Sequence, residues 1–162
     1  ATYLDYTLTI RRTGDLIPQV NSKDSQKGEF INHGSDILIT IFEKSSKTSS
    51  KDEGFAYFGT FLYDALLEPV KGSFVHEIWK NLDENTHLRL RLVFEEGAKP
   101  IDLGATLITI PWEFLYYPEG KTFLGTDSRV ALSCSYQSWL HAQLDGCAVN
   151  DLPLRVLFVH AH

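Results

Sequence analysis

The sequence contains no methionine and only two cysteines, Cys134 and Cys147. A primary translation product begins with methionine, so a chain opening on Ala1 reads as an excised or processed piece of a longer protein. Two cysteines in a chain of this size make no disulfide framework; they suit reduced thiols and a cytoplasmic setting. Asn-x-Ser/Thr acceptor sequences are absent, as is the basic, then apolar, then small-residue succession of a secretory signal. No apolar run approaches the length of a membrane span. Basic residues form no block long enough for a phosphate track, and the net charge is −6, which argues against a general nucleic-acid or anionic-membrane surface. Repeats at solenoid or propeller periods are missing too.

What is present is a globular composition, 43% apolar and 22% charged over 162 residues, enough to bury one ordinary core. Leu4, Tyr6, Leu8 and Ile10 alternate with polar neighbours, the period of a half-buried strand. Gly14-Asp15 breaks that strand. Leu16 to Val20 is expected to return beside it, at an edge because of Pro18. Ile37 to Phe42 fits either a strand or a short buried helix, and the polar stretch Glu43 to Gly54 is expected to be a solvated, disordered loop. From Phe55 the period turns helical (Phe55, Phe58, Leu62, Ala65, Leu66) until Pro69, and Phe74, Val75, Ile78, Trp79 and Leu82 mark a second helix. Leu88-Arg89-Leu90-Arg91-Leu92 is strict alternation, a strand with one face in the core. Phe123-Leu124 and Arg129 to Cys134 read as extended pieces, Trp139 to Leu144 as a helical turn. Leu154 to Ala161 is an apolar, β-prone run, expected to be an interior strand covered on both faces whose neighbours are encoded downstream; the alternative is a closing strand paired with Leu88–Phe94.

These elements give an α/β fold. A strand-rich part (1–53) and a helix/strand region (54–152) lead into a first strand of a mostly parallel sheet at 153–162, a single partial domain.

Candidate chemistry is sparse. Gly120-Lys121-Thr122 imitates the end of a phosphate loop, but the glycine that must stand five positions earlier is Leu115. His160 and His162 share one face of a strand and could bind zinc only with a third ligand. Cys147, after Leu144-Asp145-Gly146, and His33-Gly34 imitate a cysteine–histidine pair, yet neither follows the long β-prone run that would hold it at a strand end. His76 and His87 read as surface histidines. The most distinctive signal is Pro111-Trp112-Glu113-Phe114-Leu115-Tyr116. Proline starts a short helix over Trp112 to Tyr116, Glu113 sits in the first turn where the helix dipole favours a carboxylate, and the aromatics fill the core. Trp112, Glu113 and Tyr116 are therefore assigned as a structural anchor without catalysis.

The order of these elements resembles the front part of CHAT domains, bacterial caspase-like cysteine peptidases often associated with tetratricopeptide repeats. The resemblance runs from Phe55–Leu67 through Leu88–Leu92, Ile110–Tyr116 and Phe123-Leu124 to Leu154–Val159; it is specific at Pro111–Tyr116, and the polar stretch Gly97–Gly104 departs from it. It implies a caspase-like sheet and a cysteine endopeptidase in a regulatory or defence protein. The His-Gly and Cys of that family would follow beyond His162, leaving no catalytic residue, metal or cofactor on this chain. The implied partners are the remainder of the protease domain, a tetratricopeptide-repeat or sensor module and a protein substrate. Two other readings stand beside it: a self-contained interaction domain, and the start of a zinc-dependent N-deacetylase core, which the ending in Ala161-His162 also resembles.

Overall fold

A computed structural model of the chain describes residues 2–30, 40–44, 47, 50–96 and 107–137. Strand β1 (Thr2–Ile10) turns at Gly14 into β2 (Asp15–Val20), antiparallel to it with Tyr6 opposite Val20 and Ile10 opposite Leu16. Gly14 has φ +91°, a conformation in which a side chain would be strained. Asn21 and Ser22, both at positive φ, make the two-residue turn into β3 (Lys23–Asp24). A further short strand, β4 (Gly28–Glu29), pairs with the start of β2. Pro18 has no N–H to give, and it falls in the gap between the pairings of β2 with β3 and with β4.

Residues 40–44 are helical. Helix α1 runs from Lys51 to Leu66, so the residues Lys51 to Gly54, read from composition as loop, form its first turn. Asp52 and Glu53 lie there, where the exposed amides at a helix start favour carboxylates. Pro69 stops the α-helical ladder and the chain continues as a 3₁₀ turn (Glu68–Val70). The expected second helix is a π-helix, Gly72–Ile78, closed by another 3₁₀ turn, Trp79–Asn81. Phe74 and Ile78 are buried under either helical geometry.

Strand β5 (Thr86–Glu95) buries Leu88, Leu90, Leu92 and Phe94 and exposes Arg89 and Arg91. Its two edges are both occupied: β1 pairs with it in parallel on one side and β8 (Val130–Gln137) in parallel on the other. Parallel pairing follows from the long crossovers between these strands, since a short turn can only reverse the chain. The sheet reads β3-β2-β1-β5-β8, with β4 also on β2, and the small hairpin β6 (Tyr116–Tyr117) and β7 (Thr122–Phe123) stands apart from it. This is an α/β architecture. Both edges of β5 are paired along Leu88–Phe94. The run Leu154–Ala161, like Trp139–Leu144, lies outside the described residues.

The core sits on one face of the sheet. Tyr6, Leu8, Ile10 and Leu16 join the β5 row, and helix α1 contributes Phe58, Leu62, Ala65 and Leu66 to the same cluster. Both crossovers cover that face. Phe74 meets the Tyr6 ring edge-on at 5.6 Å while the Tyr6 hydroxyl and Ser73 Oγ share a buried 2.7 Å hydrogen bond; Trp112 stacks on Phe94. The opposite face, with Asp5, Thr7, Arg89, Arg91 and Ser133, carries no helix among the described residues.

Candidate functional site

The anchor motif is assembled from its backbone outward. Proline precedes a single 3₁₀ turn, Trp112–Phe114, rather than the helix to Tyr116 expected from the sequence; at Leu115 the chain is already extended and Tyr116 enters β6. The short turn is what lets two successive aromatics face different neighbours. Trp112 is 1% exposed, its ring 5.5 Å from that of Phe94 at an interplanar angle of 24°, and its indole N–H donates to the Leu107 carbonyl at 2.7 Å. Leu115 is buried, and its carbonyl accepts the Leu124 amide at 2.8 Å, tying the motif to the β7 side of the hairpin.

Glu113 and Tyr116 do not share the burial of Trp112. Glu113 is exposed, and Tyr116 is half-buried with its ring edge-on to Phe123 at 4.9 Å. Tyr117, which the sequence reading did not single out, takes the interior place: it meets Tyr63, Phe74 and Trp79 with centroid distances of 5.4, 6.0 and 4.7 Å. Burial, and then a hydrogen bond to Glu119, push its phenol up to about 12. Phe114 stacks on Phe55 at 4.6 Å, beside Phe42 and Phe58.

Two glycines make this packing possible. A Cβ on Gly59, in the middle of α1, would stand 2.1 Å from the Phe114 carbonyl oxygen and 2.6 Å from Tyr116 Cβ. One on Gly125 would stand 2.4 Å from the Glu113 carbonyl oxygen. The motif is therefore clamped backbone-to-backbone between a helix and a turn, an approach that tolerates no side chain.

Arg129 closes the site at the start of β8. Its guanidinium reaches both carboxylate oxygens of Asp127, at 3.0 and 2.8 Å, and lies 5.1 Å over the Trp79 ring. The Asp127 carboxylate also accepts the Arg129 amide, and the Arg129 side chain holds its pKa below the ordinary carboxylate range.

The contacts of the motif are packing and hydrogen bonding. Cys134 is the described thiol, and desolvation, followed by the nearby Glu113 carboxylate, pushes its pKa up to about 11, so it is protonated and weakly nucleophilic at neutral pH. His76 meets Lys80 and His87 meets the Tyr3 ring, both at the surface. Gly120-Lys121 lies in the turn between β6 and β7, with Lys121 at positive φ, and Thr122 opens β7. His33, Cys147, His160 and His162 lie outside the described residues. Among the described residues no three His, Cys, Asp or Glu side chains come together as metal ligands, and no helix is long and apolar enough to cross a membrane.

On the face of the sheet opposite the core, a shallow depression of about 340 Å³ is lined by Asp5, Thr7, Arg89, Arg91 and Ser133. Arg89 is already bonded there to Asp5 at 2.6 and 2.8 Å and lies over the Tyr3 ring, which is 51% exposed. Exposed pairs of this kind contribute little to stability. Comparison of the chain with protein families, with curated proteins and with solved structures gives no match.

Proposed function

We propose that this chain is the non-catalytic N-terminal part of a bacterial CHAT-type, caspase-like cysteine endopeptidase, acting in the cytoplasm. Its task is to brace the protease core and offer a surface to a regulatory module. The observation that carries the reading is the clamped Pro111–Tyr116 motif, because the feature most specific to the resemblance is also a rigid junction, packed at once against β5, α1 and the β6–β7 hairpin. In the complete enzyme a cysteine thiolate from elsewhere attacks the scissile carbonyl and a histidine protonates the leaving amine. This chain supplies neither group.

The intact protein tests the reading. It is expected to cleave a protein substrate, to lose activity on alkylation by iodoacetamide, and to carry a His-Gly and a Cys at strand ends beyond residue 162. A complete coding sequence without that pair rules the reading out. A second reading, an interaction domain without enzymatic activity, draws on the sheet face that carries no helix among the described residues: parallel strands are as a rule covered on both sides, and a partner supplies that layer.

A further inference from the structure

The register of the sheet lays residues of three strands in rows across the face opposite the core. One row is Asp5, Arg89 and Ala131; the next is Thr7, Arg91 and Ser133. In the first row charge is matched across the strands, the Arg89 guanidinium bonding the Asp5 carboxylate at 2.6 and 2.8 Å. In the second the arginine stands between two hydroxyl-bearing residues. Neighbouring strands lie about 4.8 Å apart, so Thr7 and Ser133 flank Arg91 within reach of one small group.

Side-chain length gives these rows their shape. Thr7, Ala131 and Ser133 are short, Arg91 is long and exposed, and together with Ser22 they line the depression of about 340 Å³. That volume is at the small end of the range for small-molecule sites, roughly 300–1,000 Å³. The charged residues of the lining are two arginines and one aspartate. Once Asp5 has paired with Arg89, one positive charge remains there, on a chain whose net charge is −6. The local charge runs against that of the whole.

We propose that Arg91, Thr7 and Ser133 bind a single oxyanion, the phosphoryl or carboxylate group of a small molecule. The guanidinium offers paired N–H donors that match two oxygens of either group, and the hydroxyls donate from the strands on both sides. Asp5 sets the limit. Its carboxylate repels a second anionic group and accepts a hydrogen bond from a ligand hydroxyl. The ligand class is therefore a small molecule with one anionic group and a neutral, hydroxyl-bearing remainder. One exposed guanidinium provides the charge, so binding is expected in the millimolar range. The site uses side chains of β1, β5 and β8 and is independent of the peptidase reading.

Amide NMR titration of the chain at pH 7 with inorganic phosphate, and separately with acetate, tests the site against sodium chloride at matched ionic strength. Saturable shifts are expected at Thr7, Arg91 and Ser133. Phosphate binding more tightly than acetate identifies a phosphoryl ligand; acetate binding as tightly or more identifies a carboxylate. Arg91→Gln is expected to weaken binding by about tenfold or more, and Arg91→Lys, which keeps the charge without the planar fork, by about threefold. Arg91 is exposed, so Arg91→Gln is expected to melt within about 2 °C of wild type. Ser133→Ala leaves the guanidinium in place and is expected to weaken binding by about threefold. Shifts that chloride reproduces, or binding undiminished in both Arg91→Gln and Ser133→Ala, overturn the proposal.

Discussion

Replacing Trp112 by alanine removes the largest fully buried side chain among the described residues, and its cost can be worked from its contacts. The stack on Phe94 contributes about 0.5–1.5 kcal/mol beyond area burial. The hydrogen bond to the Leu107 carbonyl contributes about 1 kcal/mol, and its loss strands a buried acceptor. The remainder is transfer and cavity energy. The backbone on either side is held by Gly59, Gly125 and the Leu124–Leu115 hydrogen bond, so the space closes poorly. A loss of about 3–5 kcal/mol follows, the range found for buried aromatics cut to alanine. At about 2–4 °C per kcal/mol for a chain of this size, Tm falls by roughly 6–20 °C. Circular dichroism melts of wild type, Trp112→Ala, Trp112→Phe and Glu113→Gln measure it. Phenylalanine keeps a ring over Phe94 and is expected to fall between the first two. Exposed Glu113 is expected to change stability by no more than about 0.5 kcal/mol. A Trp112→Ala Tm within about 2 °C of wild type would falsify the anchor.

Gly59→Ala sets two effects against each other: alanine favours a helix by about 1 kcal/mol, yet its methyl meets the Phe114 backbone, so a net loss of about 1–3 kcal/mol is expected in urea unfolding, and a gain refutes the clamp. Tyr6→Phe removes the buried hydroxyl bonded to Ser73, which keeps its bond to the Val70 carbonyl; a loss of about 1 kcal/mol is expected by the same assay, and a neutral result counts against that bond. Asp127 has a folded pKa below its unfolded value, so its contribution is present above about pH 4 and fades as pH falls through the depressed folded pKa. Asp127→Asn is therefore expected to lower stability at pH 7 and to flatten the acid limb of stability against pH; an unaltered acid limb contradicts this.

Much of the sheet was written in the residue pattern. Leu88, Leu90 and Leu92 alternate with Arg89 and Arg91 because one face of β5 meets the core and the other meets solvent. Other features leave no such trace. Phe74 and Ile78 suit a π-helix as well as an α-helix, since both geometries bring residues at that spacing to one side. Strand β8 carries Ser133 and Ser135 on either side of Cys134, so its apolar pattern fades there although the strand continues to Gln137. Lys51 to Gly54 join α1 through carboxylates at its start, an electrostatic preference that composition alone presents as a loop. At the anchor motif the sequence marks Trp112 clearly. That Tyr117 rather than Tyr116 turns inward depends on the chain leaving its helical turn after Phe114.

The pairing of β1 with β5 fixes an order of events during synthesis. Asp5 and Arg89, which meet across these strands, are separated by 84 positions. A ribosome needs on the order of ten seconds to make that distance. Through that interval the first hairpin emerges with Tyr6, Leu8 and Ile10 lacking the strand that will flank them, an adhesive surface on a nascent chain. That hairpin waits on a strand made well after it, and yield in the cell depends on what shelters it meanwhile.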